Sequence, residues 1–130
     1  HASRYEYGTI NSPIIAGLGA AVEFMDKVGI KNVEERGKYL AERFRNKVSQ
    51  HNDIFFLTPD QLDNYASIIT FRIKQKNGSN VCKELRKTSN IVLRSVTENN
   101  MNAIRASFAV YTNEKEVDEL AQKLLIIANQ

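Results

Sequence analysis

The sequence predicts an α+β fold: a small, mostly antiparallel sheet with helices packed on one face. Three observations predict it. The apolar spacing switches from helical to alternating near residue 52, turns helical again around residue 80, and ends in a helix after Asn113. The resulting order, α-α-β-β-α-β-β-α, lacks the strict βαβα alternation of a parallel sheet. With 130 residues, 42% hydrophobic and 25% charged, the chain has the size and composition of one cored domain, which argues against disorder and low complexity. A single domain over 1–130 is expected, with no internal linker or repeat.

Each element has a local reason. From Pro13, the residues Ile14, Leu18, Ala21, Val22, Met25 and Val28 recur at three and four positions, so one helical stripe is expected to face a core. Ser12-Pro13 opens this helix and Gly29 closes it, since proline suits a first turn and glycine accepts the conformation beyond a helix end. Gly17 and Gly19 inside it cost about 1 kcal/mol each relative to alanine, so close approach of another backbone is expected in return. A second helix is expected over Asn32–Gln50, with Val33, Leu40, Phe44 and Val48 on its apolar side.

Ile54–Leu57 reads as a strand, and Ala66–Lys74 as a stronger one, where Ile69, Phe71 and Ile73 alternate with polar residues. Asn77-Gly78-Ser79 is turn chemistry, followed by an amphipathic helix over Asn80–Lys87. Ile91–Leu93 is expected as a third strand, Ser95–Asn102 as a polar loop and Ala103–Val110 as a fourth strand. The last helix opens on a capping box, Asn113-x-x-Glu116, and buries Val117, Leu120, Leu124 and Ile127.

Composition narrows the function classes. The longest apolar run, Pro13–Val22, is about half of what a membrane span needs, so no membrane partner is expected. One cysteine, Cys82, excludes an internal disulfide and a cysteine-rich metal site. The same cysteine usage makes a reducing cytoplasm the expected location, and with no charged leader before an apolar core no signal peptide is expected. The formal net charge of +3 is a mild excess. The clusters Arg43-Phe44-Arg45-Asn46-Lys47 and Arg72-Ile73-Lys74-Gln75-Lys76 could serve nucleic acid, but their spacing suits a solvated face better, and no nucleic-acid partner is expected.

Nucleotide, hydrolase and zinc-protease motifs are absent from the sequence, and no metal site is expected. His51 lies in a polar turn without ligand spacing, and Cys82 reads as a small core residue. Two places stand out. Arg4-Tyr5-Glu6-Tyr7-Gly8-Thr9-Ile10-Asn11 puts a glycine beside a hydroxyl just ahead of a helix, a turn able to offer N–H groups and a hydroxyl to a phosphate. Arg105 sits inside the apolar strand Ile104-Arg105-Ala106-Ser107-Phe108, where an unpaired charge is costly. Its planar donors fit a carboxylate, supplied by a substrate or by an internal Asp or Glu. Arg94, at the end of the neighbouring strand, could converge on the same anion.

Together these segments resemble the C-terminal part of class V aminotransferase-like enzymes that use pyridoxal phosphate, a group including cysteine desulfurases, selenocysteine lyases and isopenicillin N epimerase-like proteins. The first segment is similar to the family's R-[FY]-E-x-G-T-P-N, Ile15–Ala21 to I-x-G-L-G-A-A, and Ile104–Tyr111 with Glu116-Val117-Asp118 to R-x-S-x-x-x-Y-N-T followed by E-[EV]-[VI]-D. The resemblance implies that Gly8 and Thr9 reach the cofactor phosphate of the other subunit of a homodimer. It implies too that Arg105 holds the α-carboxylate of an amino-acid substrate, with Arg94 close by.

Ile10 replaces the family's proline, and Thr112-Asn113 inverts its Asn-Thr. The loop Ser95–Asn102 holds no cysteine, whereas desulfurases of the family carry a persulfide-forming thiol there, so the likeness is nearer to epimerase-like or lyase-like members. No lysine follows a histidine, as the Schiff-base lysine of the family does. The chain therefore looks like a small domain contributing part of an active site, with no catalytic residue of its own, inactive without the large cofactor-binding domain of its parent. The alternative from the residues alone is a free-standing α+β module that binds RNA or a small anion.

Overall fold

The computed structural model describes residues 8, 11–61 and 65–130. The chain divides into two units, 1–33 and 34–130. In the first, helix α1 (Ser12–Val28) is capped by Asn11, whose side chain accepts from the Ile14 N–H, and Pro13 occupies the first turn. Gly29 ends it with φ at 87°, in the left-handed region, while its N–H returns to the Met25 carbonyl. Two expectations for α1 are corrected. No residue of it is buried, with Ile14 69% and Leu18 63% exposed. A Cβ at Gly17 or Gly19 would meet nothing within 4 Å, so the expected close backbone approach is not made by the described residues.

Helix α2 (Ile30–Val48) follows at once, and from Glu34 onward it belongs to the second unit. That unit then runs β1 (Ile54–Phe56), β2 (Ile68–Ile73), α3 (Gly78–Ser89), β3 (Arg94–Val96), a 3-10 turn at Glu98–Asn100, β4 (Ala103–Ser107) and α4 (Glu114–Ala128). The expected element order holds. The four strands pair in the order β1-β2-β4-β3, and every pairing is antiparallel. In register, Ile69 faces Ala106 and Phe71 faces Ile104, which puts their side chains on one face of the sheet. On that face they join Leu40, Phe44 and Val48 of α2, Val81 and Leu85 of α3, and Val117, Leu120 and Leu124 of α4 in one buried cluster. At its centre the Phe44 ring lies 5.5 Å from both Phe71 and Phe108.

The third strand is the main correction of an element. Ile91–Leu93 has strand-like residues but no ladder partner. The Ile91 N–H instead returns to the Leu85 carbonyl beyond the left-handed Asn90 cap of α3, and Val92 is exposed. Pairing begins only at Arg94, opposite Arg105. Strand β4 in turn ends at Ser107, because the Thr112 hydroxyl takes the Ala109 N–H and closes a turn there. Asn113 then caps α4 through the expected box, accepting from the Glu116 N–H while the Glu116 carboxylate takes the Asn113 N–H.

The first basic cluster serves the fold. Arg43 forms two bonds of 2.8 Å with Asp118, and Lys47 reaches the same carboxylate at 3.4 Å. Arg45 is buried, ion-paired with Asp60, donates to the Thr58 and Pro59 carbonyls, and stacks over Phe56 at 4.4 Å. Arg36 bonds to Glu114 at 2.6 Å, so α2 and α4 are clamped by ion pairs along one side of their apolar seam.

The hydrogen bond from Arg36 holds the Glu114 carboxyl down to about 2, and the bond from Arg43 holds Asp118 below its ordinary value. Folding lowers both values, so their stabilisation is complete above the unfolded carboxylate range near ~4 and fades as pH falls below it. The urea midpoint is therefore expected to drop steadily from about pH 5 to about pH 2. In Glu114→Gln that slope is expected to be shallower, and an unchanged slope would show that the clamp contributes nothing.

Candidate functional site

The sheet face opposite the helices carries the residues singled out for chemistry. Arg105 lies on β4, a central strand, with Thr70 of β2 directly opposite on one side and Arg94 of β3 on the other. Because side chains alternate along a strand, these three share the face turned away from the core. Arg105 is half-buried there. Its Nε is buried without a hydrogen-bond partner, and no described residue forms an ion pair with it. An unsatisfied buried donor on a cation costs roughly 1–3 kcal/mol, and no described residue supplies the acceptor for this one; Arg45 Nε is also unpartnered, but its guanidinium is already ion-paired with Asp60.

Arg94 differs. It is exposed and ion-paired with Glu98, whose other oxygen takes the Thr97 N–H at 2.9 Å. A backbone hydrogen bond at Glu98 itself, followed by the Arg94 guanidinium, holds the Glu98 carboxyl below its ordinary value. Asn99 and Asn100 adopt positive φ of 53° and 60°, which turns the chain sharply between β3 and β4. Like charges directly across an antiparallel pair repel. Glu98 offsets this, leaving the group Arg94, Arg105 and Glu98 with a formal charge of one positive unit.

Sequence reasoning found both arginines but missed Glu98 and Thr70. Glu98 meets Arg94 across the turn that follows β3, a contact that depends on the path of the chain there and has no periodic signature. Thr70 depends on long-range register and has no local signature.

The phosphate-contact residues are placed only in part. Gly8 is exposed, and a Cβ there would meet nothing within 4 Å. Neither crowding nor a positive φ therefore demands glycine at position 8. Thr9 lies outside the described residues, as does Ile10.

Other candidates recede on inspection. Cys82 is half-buried against the core, and burial pushes its thiol above the ordinary value, away from the reactive thiolate. His51 accepts from the Asp53 N–H and meets the Asn129 side chain at 3.1 Å, bracing the end of α4. In the second basic cluster Arg72 lies 5.7 Å over Phe55, and Lys74 sits 3.8 Å from Asp53. No helix among the described residues is long and apolar enough to cross a membrane.

An all-antiparallel four-stranded sheet with helices on one face and a half-buried arginine on the other defines a small α+β domain. The aminotransferase class-V family model matches residues 1–120, and the chain belongs to that family. It is 27% identical to a probable cysteine desulfurase of Methanothermobacter thermautotrophicus, over 97% of this chain and 34% of that protein. A solved cysteine desulfurase from Thermococcus onnurineus NA1 superposes with a TM-score of 0.87 at 23% identity, covering 97% of this chain and 33% of the other. The cystine C-S lyase C-DES, solved with its reaction product cysteine persulfide, gives a TM-score of 0.79 at 23% identity, over 93% and 31% of the two chains. The chain thus spans about a third of the length of these relatives. They shift the likeness within the family away from epimerase-like proteins and towards desulfurases.

Proposed function

We propose that this chain is the small domain of a pyridoxal-phosphate enzyme that cleaves a carbon–sulfur bond in a cysteine-like amino acid, with Arg105 receiving the substrate α-carboxylate. The observation that carries this reading is the buried, unpartnered Nε of Arg105 on the open face of a central strand. A carboxylate supplies two acceptors in the plane of the guanidinium, satisfying the orphaned donor and orienting the acid in one step. Thr70 and Arg94 flank it, and Arg94, exposed and already held by Glu98, draws the acid in rather than burying it.

The donor set fits the acid end of a pyridoxal-phosphate site and not its covalent end, since no lysine here follows a histidine. When bound in the parent, pyridoxal phosphate supplies the electron sink that weakens bonds at the substrate α-carbon. This chain fixes the carboxylate, and through it the direction in which the other α-carbon bonds point. In the same reading Gly8 and Thr9 touch the cofactor phosphate of the second subunit of a homodimer, and the exposed stripe Ile14, Leu18 and Val22 packs on the large domain. Because Ser95–Asn102 holds no cysteine, sulfur leaves without capture by a thiol on that loop, as a lyase would release it.

The test is a longer chain carrying the upstream histidine-lysine pair, assayed with L-cysteine and L-cystine in the presence of pyridoxal phosphate. Release of sulfide or persulfide is expected, and racemisation or transamination alone would contradict the proposal.

Glu98 sets the charge that the site tolerates. With it the three groups suit one carboxylate, and Glu98→Gln raises the local charge by one unit. Weak sulfate binding is expected to strengthen about three- to tenfold in Glu98→Gln while acetate binding changes by less, a difference that fades as salt is added. Equal gains for the two anions would show that Glu98 does not tune the site.

A further inference from the structure

We propose that Asn77-Gly78 is a deamidation site that the fold holds shut through Asn102. Two separate structural demands create the pair. A Cβ at residue 78 would lie 2.8 Å from the Ala103 carbonyl oxygen, so close packing of α3 on β4 admits only glycine. The start of α3 needs a side-chain acceptor, and Asn77 provides it by taking the Asn80 N–H at 3.1 Å. Together these demands write the sequence in which an unhindered amide nitrogen follows an asparagine, and Asn77 itself is exposed to water.

The chemistry needs no reagent beyond water. The Gly78 nitrogen attacks Cγ of Asn77, a C–N bond forms, and the side-chain nitrogen leaves as ammonia with the proton given up by the Gly78 amide. Water then opens the cyclic imide at either carbonyl, giving aspartate or isoaspartate.

In the folded chain both reacting groups are engaged. The Gly78 N–H donates to Asn102 Oδ1 at 2.8 Å, and Asn102 Nδ2 donates to the Lys76 carbonyl at 2.8 Å, so one side chain staples both sides of residue 77. The Asn77 side chain is meanwhile held as the cap of α3. Reaction therefore requires local opening of this turn, and its rate follows the population of the open form. Isoaspartate would add a methylene to the backbone where α3 meets Ala103, at the start of the strand that bears Arg105.

The experiment follows Asn77 by peptide mapping and isoaspartate detection in the whole chain, incubated at mildly alkaline pH with and without urea. Deamidation at Asn77 is expected in the unfolded chain and to be at least about tenfold slower in the folded one. Asn102→Ala, checked as folded by circular dichroism, is expected to react several-fold faster than the parent chain without urea and equally fast in urea. Equal rates for the folded and unfolded parent chain, or a folded Asn102→Ala no faster than the parent, would overturn the proposal. A measurement that needs no variant is hydrogen exchange of the Gly78 amide: protection is expected, and free exchange would contradict the staple.

Discussion

Truncating Phe44 to alanine is expected to destabilise the second unit by about 3–5 kcal/mol, lowering the urea midpoint with little change in slope. The ring is fully buried and is the meeting point of α2 with Phe71 of β2 and with Phe108 just beyond β4. The two remaining rings would each lose a tilted aromatic contact worth about 0.5–1.5 kcal/mol. Phe55, 41% exposed on the other sheet face, serves as control, and its alanine variant is expected to cost well under half as much. Similar losses for the two would place the core elsewhere.

Arg105→Met is expected to separate function from stability. Methionine keeps the length of the buried stem while removing an orphaned donor, so the free energy of unfolding should stay the same or rise by up to about 1 kcal/mol. Carboxylate binding should fall by about 2–5 kcal/mol, roughly thirtyfold to a few thousandfold, because the acid then lacks its main partner. Arg43→Met makes the contrast. It strips Asp118 of a two-bond partner between α2 and α4, so stability should fall while carboxylate binding is untouched. A large stability loss in Arg105→Met would mean that the guanidinium is satisfied within the fold and serves structure. Steeply salt-dependent RNA binding, weakened by removing Arg72 or Lys74, would point instead to the anion-binding module.

What could be read from the sequence is what local chemistry controls. The Asn113 to Glu116 box, the Gly29 stop and the alternation of Ile69, Phe71 and Ile73 each carry their own reason, and all appear as expected. The failures share one cause, since each needed a partner far away in the chain. Ile91–Leu93 is branched and apolar like a strand, but the Ile91 N–H goes back to α3, and the ladder starts only at Arg94, which meets Arg105. Arg43 and Arg45 looked like solvated charge until α4 brought Asp118 to one and the loop after β1 brought Asp60 to the other.

The same limit applied to the site. An arginine in an apolar strand was visible as an anomaly, but whether an internal carboxylate met it depended on the register of three strands. That register places Thr70 and Arg94 directly opposite it, and no described acid pairs with it. The stripe of α1 was legible as apolar, yet none of its residues is buried.

The most direct measurement is the Nε–Hε resonance of Arg105 in the chain alone, titrated with acetate and with glycine. A saturable shift at Arg105, absent in the spectrum of Arg105→Met and smaller at Arg94 because Glu98 already occupies it, is the predicted result. An Arg105 signal that stays still through the titration, or that shows contact with an internal carboxylate before any acid is added, would contradict the claim that this strand awaits a substrate.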